Sequence, residues 1–173
     1  MALAYGADAV YLAGNTFGMR AFAGNFDREG LKQAVELAHA KGIRVHVTCN
    51  TLARNDEVAK LPEYLEYLDA IGADAVIAAG PDVLDLCKRR APHVEVHMST
   101  QTGIANYEAA RVWHELGASR VILARELSRG RTPPPPALSG PWRRSPPPRP
   151  ETAPGPGSPG GPPGRARPGR TGN

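Results

Sequence analysis

Apolar residues along this chain fall into five short runs separated by wider-spaced apolar sets. The runs lie within Gly6–Gly14 ("GADAVYLAG") and over Ile43–Thr48, Asp74–Ala79, Val94–Met98 and Arg120–Ala124. The runs in Gly6–Gly14, Asp74–Ala79 and Arg120–Ala124 are rich in β-branched and small residues and lack polar alternation. That pattern suits strands buried on both faces. Between them the apolar positions recur at helical spacing. A helix is predicted over Arg28–Lys41, with Leu31, Ala34, Val35 and Ala38 on one face and Asp27 as its N-cap. A second is predicted over Asp56–Ile71, with Leu61, Tyr64, Leu65 and Leu68 inward. Pro62 in its first two turns marks an alternative start. Two more are predicted over Pro81–Arg90, with proline in the first helical position, and Asn106–Leu116.

One phrase recurs at the helix-to-strand junctions. "GADAVYLAG" at Gly6 returns as "GADAVIAAG" at Gly72 and, more loosely, as "GASRVILAR" at Gly117. In each, a glycine that tolerates the left-handed conformation ends a helix, a short polar step follows, and a buried strand begins. Strict strand–helix alternation with buried strands predicts an α/β fold with a parallel sheet. It could be wound as a barrel or as a doubly wound open sheet. No Gly-rich GxGxxG loop follows the first strand, which weakens the dinucleotide-binding alternative. The near-identical units favour a barrel. A complete one needs eight strands and about 250 residues. Five units therefore predict a partial TIM-barrel-like (β/α) repeat over residues 1–127.

Composition changes abruptly after Leu127. Of the 18 prolines, all but Pro62, Pro81 and Pro92 lie in residues 128–173, which contain no Val, Ile, Met, Phe, Tyr or Lys. Such a segment cannot bury enough apolar surface to offset the entropy lost on ordering, so a disordered tail is expected. The charge divides at the same point. The tail carries eight arginines against Glu151 alone. Residues 1–127 carry 13 basic and 16 acidic groups, a net of −3. The overall charge of +4 therefore assigns no basic face to the folded part. Cys49 and Cys87 form no CxxC pair and suit a reducing, cytoplasmic setting. No signal peptide or membrane-spanning run is recognisable, so no membrane partner is expected.

In either winding, the ligand face is the carboxyl end of the strands. Residues just past the strands are Gly14 and Asn15, Thr48 to Asn50, Gly80 and Asp82, Ser99 to Gln101, and Arg125 and Glu126. The loop "NTFGMRAFAGNF" adds Arg20 and Asn25. Hydroxyls, amides and two arginines suit a polar or anionic ligand held by hydrogen bonds. The substrate-binding candidates are Arg20, Asn50, Ser99, Thr100, Gln101, Arg125 and Glu126. Glu126 could act as a general base or cap the next helix. His46 and His97 are expected as hydrogen-bonded core fillers on strands, and His39, His93 and His114 as solvent-facing. No catalytic set is assigned, and no metal-ligand spacing is present.

Several long blocks resemble the collagenase-like peptidases, a bacterial peptidase family without an assigned mechanism. They are "YGADAVYLAG", "FGMRAFAGNF", "AHAKGIRVHVTCNTL", "LPEYLEYLDAIGADAVIAAGPDVLDLCK" and "VHMSTQTGIANYEAARVWHELGASRVILARELS", spanning Tyr5 to Ser128 in order. The resemblance implies a TIM-barrel-like catalytic domain and either peptidase activity or oxygen-independent hydroxylation of transfer RNA, ribosomal RNA or ubiquinone. It implies a protein or RNA substrate. In full-length relatives it implies an iron–sulfur cluster, for which this chain lacks the cysteine signature, so no cofactor is expected here. "TCN", "STQ" and "ARELS" match recurrent family blocks, none with an established nucleophile. Family members carry a further strand before the first echo and continue past "ARELS" into helices and strands. The Pro/Gly/Arg tail is thus expected to be a frameshift product or the mark of a truncated chain, which would be inactive and aggregation-prone through its open sheet edges.

Two other readings compete. The arginine-rich tail could bind nucleic acid or acidic partners, although it lacks RGG spacing and has only Trp142 to stack on bases. An unrelated barrel lyase or epimerase would need a lysine on a strand, and Lys32, Lys41, Lys60 and Lys88 all fall on predicted helices or their ends.

Overall fold

The computed structural model describes residues 2–19 and 24–127. These fall in the first of two units, Met1–Arg143; the second, Arg144–Asn173, lies wholly outside the described residues. The expected disorder of the tail lies outside them too.

Strand and helix alternate as the apolar pattern requires. The elements are β1 (Ala9–Ala13), α1 (Arg28–His39), β2 (Arg44–Cys49), α2 (Asn55–Val58), α3 (Leu61–Ala70), β3 (Ala75–Ala78), α4 (Pro81–Arg90), β4 (Glu95–Met98), α5 (Tyr107–Glu115) and β5 (Arg120–Val121). All five strands join one sheet in the order β1-β2-β3-β4-β5, and every neighbouring pair is parallel. Val10 lies beside Val45, and Val47, Val76 and Val96 form one row across the middle strands. The strands follow one another in space as in sequence, with no reversal of order. A doubly wound sheet needs such a switch point, so these residues form a singly wound sheet.

Local chemistry sets the element boundaries. Asp27 caps α1, its Oδ1 accepting from Gly30 N at 2.7 Å. Asn106 caps α5 through Ala109 N at 2.8 Å. Gly72 and Gly117 have φ of 77° and 110°, and the next amides, Ala73 and Ala118, bond back to the Leu68 and Trp113 carbonyls. This is the helix stop that the repeated phrase predicts. The predicted Asp56–Ile71 helix is instead two helices, α2 and α3. Pro62 lacks an amide hydrogen and its ring obstructs the carbonyl four residues back, so a continuous helix through it is disfavoured. The fifth strand is also shorter than predicted, ending at Val121.

One face of the sheet packs against the helices. Val45, Val47, Cys49, Val76, Ala78, Val96 and Met98 join Leu31 and Val35 of α1, Leu61, Leu65 and Leu68 of α3, and Val83, Leu84 and Cys87 of α4 in one core. Alternate strand residues point the other way. That second face carries Tyr11, His46, Ile77 and His97. His46, Ile77 and His97 are buried there, and Tyr11 is exposed.

Candidate functional site

Three of the sequence-predicted residues meet at the carboxyl ends of β2 and β4. Asn50 follows β2 directly. Ser99 follows β4 and caps a short 3-10 turn, Thr100–Thr102, in which Gln101 sits. The Asn50 Nδ2 donates to Gln101 Oε1 at 2.7 Å, and the Ser99 hydroxyl donates to the same oxygen at 3.2 Å. Gln101 N in turn donates to Ser99 Oγ at 3.3 Å. Ser99 is buried, Asn50 half-buried and Gln101 exposed, so the cluster rises from the sheet end to the surface.

The loop after β1 is tied onto this cluster. Met19 N donates to Asn50 Oδ1 at 3.4 Å, Gln101 Nε2 lies 2.6 Å from the Met19 sulfur, and Thr51 N donates to the Phe17 carbonyl at 3.2 Å. Phe17 has φ of 61°, the one non-glycine residue with positive φ among the described residues. A bulky residue held there costs on the order of 1 kcal/mol, and such strain persists where surroundings over-determine the backbone. Here the Thr51 amide, the Asn50 side chain and a ring contact between Phe17 and Tyr64, centroids 5.3 Å apart, do so. Gly18 approaches closely beneath: a Cβ there would sit 3.3 Å from the Ala13 Cβ and 3.4 Å from Thr48 Oγ1.

The other candidates stand apart. Thr100 is half-buried in the 3-10 turn and outside the amide chain. Arg125 and Glu126 are exposed in a turn past β5, and no described bond joins them to the cluster. Arg20 lies outside the described residues. Met19, beside it in sequence, is the contact that sequence reading missed, because no pattern marks a lone methionine in a glycine-rich loop. A cleft of about 360 Å³ opens behind the same loop, walled by Phe17, Phe26, Tyr64 and Tyr67. Of its two cations, Arg28 and Lys60, Arg28 is paired to Glu63 at 2.7 Å and lies over the Tyr67 ring. Asn50, Ser99 and Gln101 do not line it.

The nucleophile chemistry around the site is muted. The Ser99 hydroxyl exchanges its described hydrogen bonds with Gln101, and neither ring nitrogen of His97 is bonded to it. The His97 Nε2 bonds Glu95 at 3.1 Å and its Nδ1 has no partner. Burial pushes the Cys49 thiol far up and the Cys87 thiol up to about 12. Both are held as buried thiols in the core, one on a strand and one on a helix. They do not suit a thiolate-bound cluster, which needs deprotonated, converging cysteines. Among the described residues no three His, Cys, Asp or Glu side chains converge as metal ligands.

The histidines depart from expectation in two respects: His46 is not hydrogen-bonded, and His114 is half-buried rather than solvent-facing. His46 is buried, but neither ring nitrogen has a hydrogen-bond partner. It packs edge-to-face between the Tyr11 and His97 rings, with centroids 5.2 and 4.8 Å away. Ala75, its neighbour on β3, is small enough to let those rings meet. His39 and His93 are exposed as expected and pair with Asp74 at 2.8 Å and Asp69 at 3.1 Å. His114 is half-buried.

Comparison with known proteins places the chain in a family. The family model described as "Peptidase family U32" matches residues 1–131. The chain is 41% identical over 128 residues to the tRNA hydroxylation protein P1 of Bacillus subtilis (strain 168), covering 74% of this chain and 30% of that protein. It is 35% identical over 127 residues to the 23S rRNA 5-hydroxycytidine C2501 synthase of Escherichia coli (strain K12), covering 73% of this chain and 19% of that one. The chain thus spans less than a third of these relatives. Among solved structures, the U32 peptidase Mk0906 superposes with a TM-score of 0.56 at 18% identity, over 67% of this chain and 50% of that one, which supports the fold alone.

Proposed function

The chain belongs to peptidase family U32, and on that premise we propose that it serves the hydroxylation of RNA, with its substrate met at the carboxyl ends of β2 and β4. The observation that carries this reading is the bonding of Ser99. The Ser99 hydroxyl, at the end of β4, is held by Gln101, without a described bond to a histidine or carboxylate that could take its proton. Acyl transfer needs that base. Both thiols are buried and protonated, so a cysteine nucleophile is unsupported as well. Relatives named for tRNA and rRNA hydroxylation agree with the reading.

Asn50, Ser99 and Gln101 form the substrate-binding cluster in this proposal, with Thr100 beside them in the 3-10 turn. The singly wound sheet is one arc of a (β/α) barrel, and the Tyr11–His46–His97 face is part of its interior. Residues 1–127 carry net −3, so phosphate-backbone attraction is not supplied by this part. Its task is at the base rather than along the backbone. No helix among the described residues is long and apolar enough to cross a membrane. An RNA substrate makes the cytoplasm the compartment proposed, and any iron–sulfur chemistry is proposed to be held outside the described residues.

The test is a graft. Residues 1–127 replace the matching segment of the Bacillus subtilis relative in a strain lacking that protein and other tRNA hydroxylation activity, and tRNA nucleosides are measured by mass spectrometry. Hydroxylated nucleosides should reappear, and Asn50→Ala in the graft should deplete them. A folded, expressed graft that restores none overturns the proposal, as does casein hydrolysis abolished by Ser99→Ala.

A further inference from the structure

Met19 is fastened to the strand ends at two points. Its backbone N–H donates to Asn50 Oδ1 at 3.4 Å, and its thioether sulfur lies 2.6 Å from Gln101 Nε2. The polarity of the second contact is forced. A backbone N–H can only donate, so the Asn50 atom facing Met19 is Oδ1, and the Asn50 NH2 group faces Gln101. Gln101 Oε1 accepts from that group and from the Ser99 hydroxyl, which turns the Gln101 NH2 group onto the sulfur. A thioether is a weak acceptor, so the sulfur contact is the weak half of this clasp. Phe17, two residues back, has φ of 61°, a conformation that surrounding contacts must hold.

The sulfur is also the atom of the clasp that can change chemically. Met19 is 61% exposed, whereas Met98, at the end of β4, is 0% exposed in the core. Attack by the sulfur on hydrogen peroxide breaks the O–O bond and forms an S–O bond. The departing hydroxide takes the proton carried by the transferred oxygen, which leaves a sulfoxide and water. The sulfur is oxidised by two electrons and the peroxide is reduced. A dithiol, acting through a methionine sulfoxide reductase, removes the oxygen as water and becomes a disulfide. The sulfoxide presents a polar oxygen acceptor where the parent presents sulfur. An oxygen acceptor sits about 2.7–3.2 Å from its nitrogen donor, close to where the sulfur now lies. The methionine side chain is unbranched and freely rotating, so at an exposed position the sulfur can withdraw by one bond and leave the oxygen in its place.

We propose that Met19 is a reversible oxidation site whose sulfoxide oxygen accepts from Gln101 Nε2 and tightens the loop after β1 onto the ends of β2 and β4. The proposal goes beyond the hydroxylation reading and stands without it. Asn50 and Ser99 act by fixing the Gln101 amide, so that its NH2 group already faces the oxidised side chain.

The test treats the full chain with hydrogen peroxide and locates the added oxygen by peptide fragmentation in mass spectrometry. Met19 should oxidise at least about tenfold faster than Met98 in buffer, because susceptibility follows exposure. In the 15N-labelled chain, oxidation should move the Gln101 side-chain NH2 signals and slow hydrogen exchange at the Met19 amide at least about threefold. Methionine sulfoxide reductase with dithiothreitol should reverse both changes. Met19→Leu keeps the apolar bulk without the sulfur and should show neither change under peroxide. Gln101→Leu should still oxidise at Met19, with its amide exchange unslowed. Met98 oxidation that keeps pace with Met19 in buffer overturns the site. Unmoved Gln101 signals in chain oxidised at Met19 overturn the contact, and so does the same movement in peroxide-treated Met19→Leu. Unslowed exchange at the Met19 amide after oxidation, or slowing that survives Gln101→Leu, overturns the tightening.

Discussion

The imidazole rings of His46 and His97 meet edge to face, 4.8 Å apart, on the sheet face that the helices do not cover. Burial first, then the neighbouring His97 and Arg120, lower His46 to about 4, with Arg44 acting the same way and Asp74 opposing. Burial and Arg120 also lower His97, against the raising effect of Glu95. A base whose folded pKa lies below its unfolded value of about 6.5 binds more protons when unfolded, so stability rises with pH across that interval. The contribution of His46 should be fully present above about pH 6.5 and lost as pH falls toward 4, by roughly 2–3 kcal/mol. Urea unfolding at several pH values measures this. His46→Leu should flatten the dependence and, because it removes two unpaired buried nitrogens, cost little at neutral pH. An unchanged pH profile in that variant contradicts the assignment.

Gly14 and Tyr64 form a tight contact that a double-mutant cycle can read. A Cβ at Gly14 would fall inside contact distance of the Tyr64 hydroxyl, and that hydroxyl is buried without a hydrogen-bond partner. Gly14→Ala should destabilise by about 1–3 kcal/mol through overpacking. Tyr64→Phe alone should be within about 0.5 kcal/mol of neutral, or stabilising, since it removes an unpaired buried polar group. The pair together should recover most of the loss. Simple additivity of the two changes would show that the contact is not the cause.

The thiols should be silent in the native chain. Cys49 and Cys87 are both buried, and burial raises both pKa values. Titration with a thiol-reactive dye should label neither until denaturant is added, and both thereafter. Rapid native labelling of either would place it outside the core.

Helix caps should matter to stability. Asp27→Ala removes the acceptor of the Gly30 amide at the start of α1 and should cost about 1 kcal/mol. A stability loss below about 0.3 kcal/mol would mean that solvent replaces the cap without cost.

The amino-acid order by itself determined the alternation of strand and helix, the helix caps and the stops at Gly72 and Gly117. These features are local: a glycine's freedom, a carboxylate three residues before an amide, and an apolar run each act within a few bonds of chain. It also placed Asn50, Ser99 and Gln101 at strand ends, because the ends of runs can be read from composition. The break at Pro62 was marked in the sequence as well, although the apolar face alone ran through it.

Only the tertiary structure decided the single winding of the sheet and which strand-end residues meet. The contacts that make the site join residues 31, 51 and 82 positions apart, from Met19 to Asn50, from Asn50 to Gln101 and from Gln101 back to Met19. Each of those side chains has suitable local alternatives, so its partner is chosen by how the strands stack and how far each loop reaches. The unpaired state of His46 has the same origin. A strand places a side chain on a face, but the neighbours from three other strands determine whether its nitrogens find a partner.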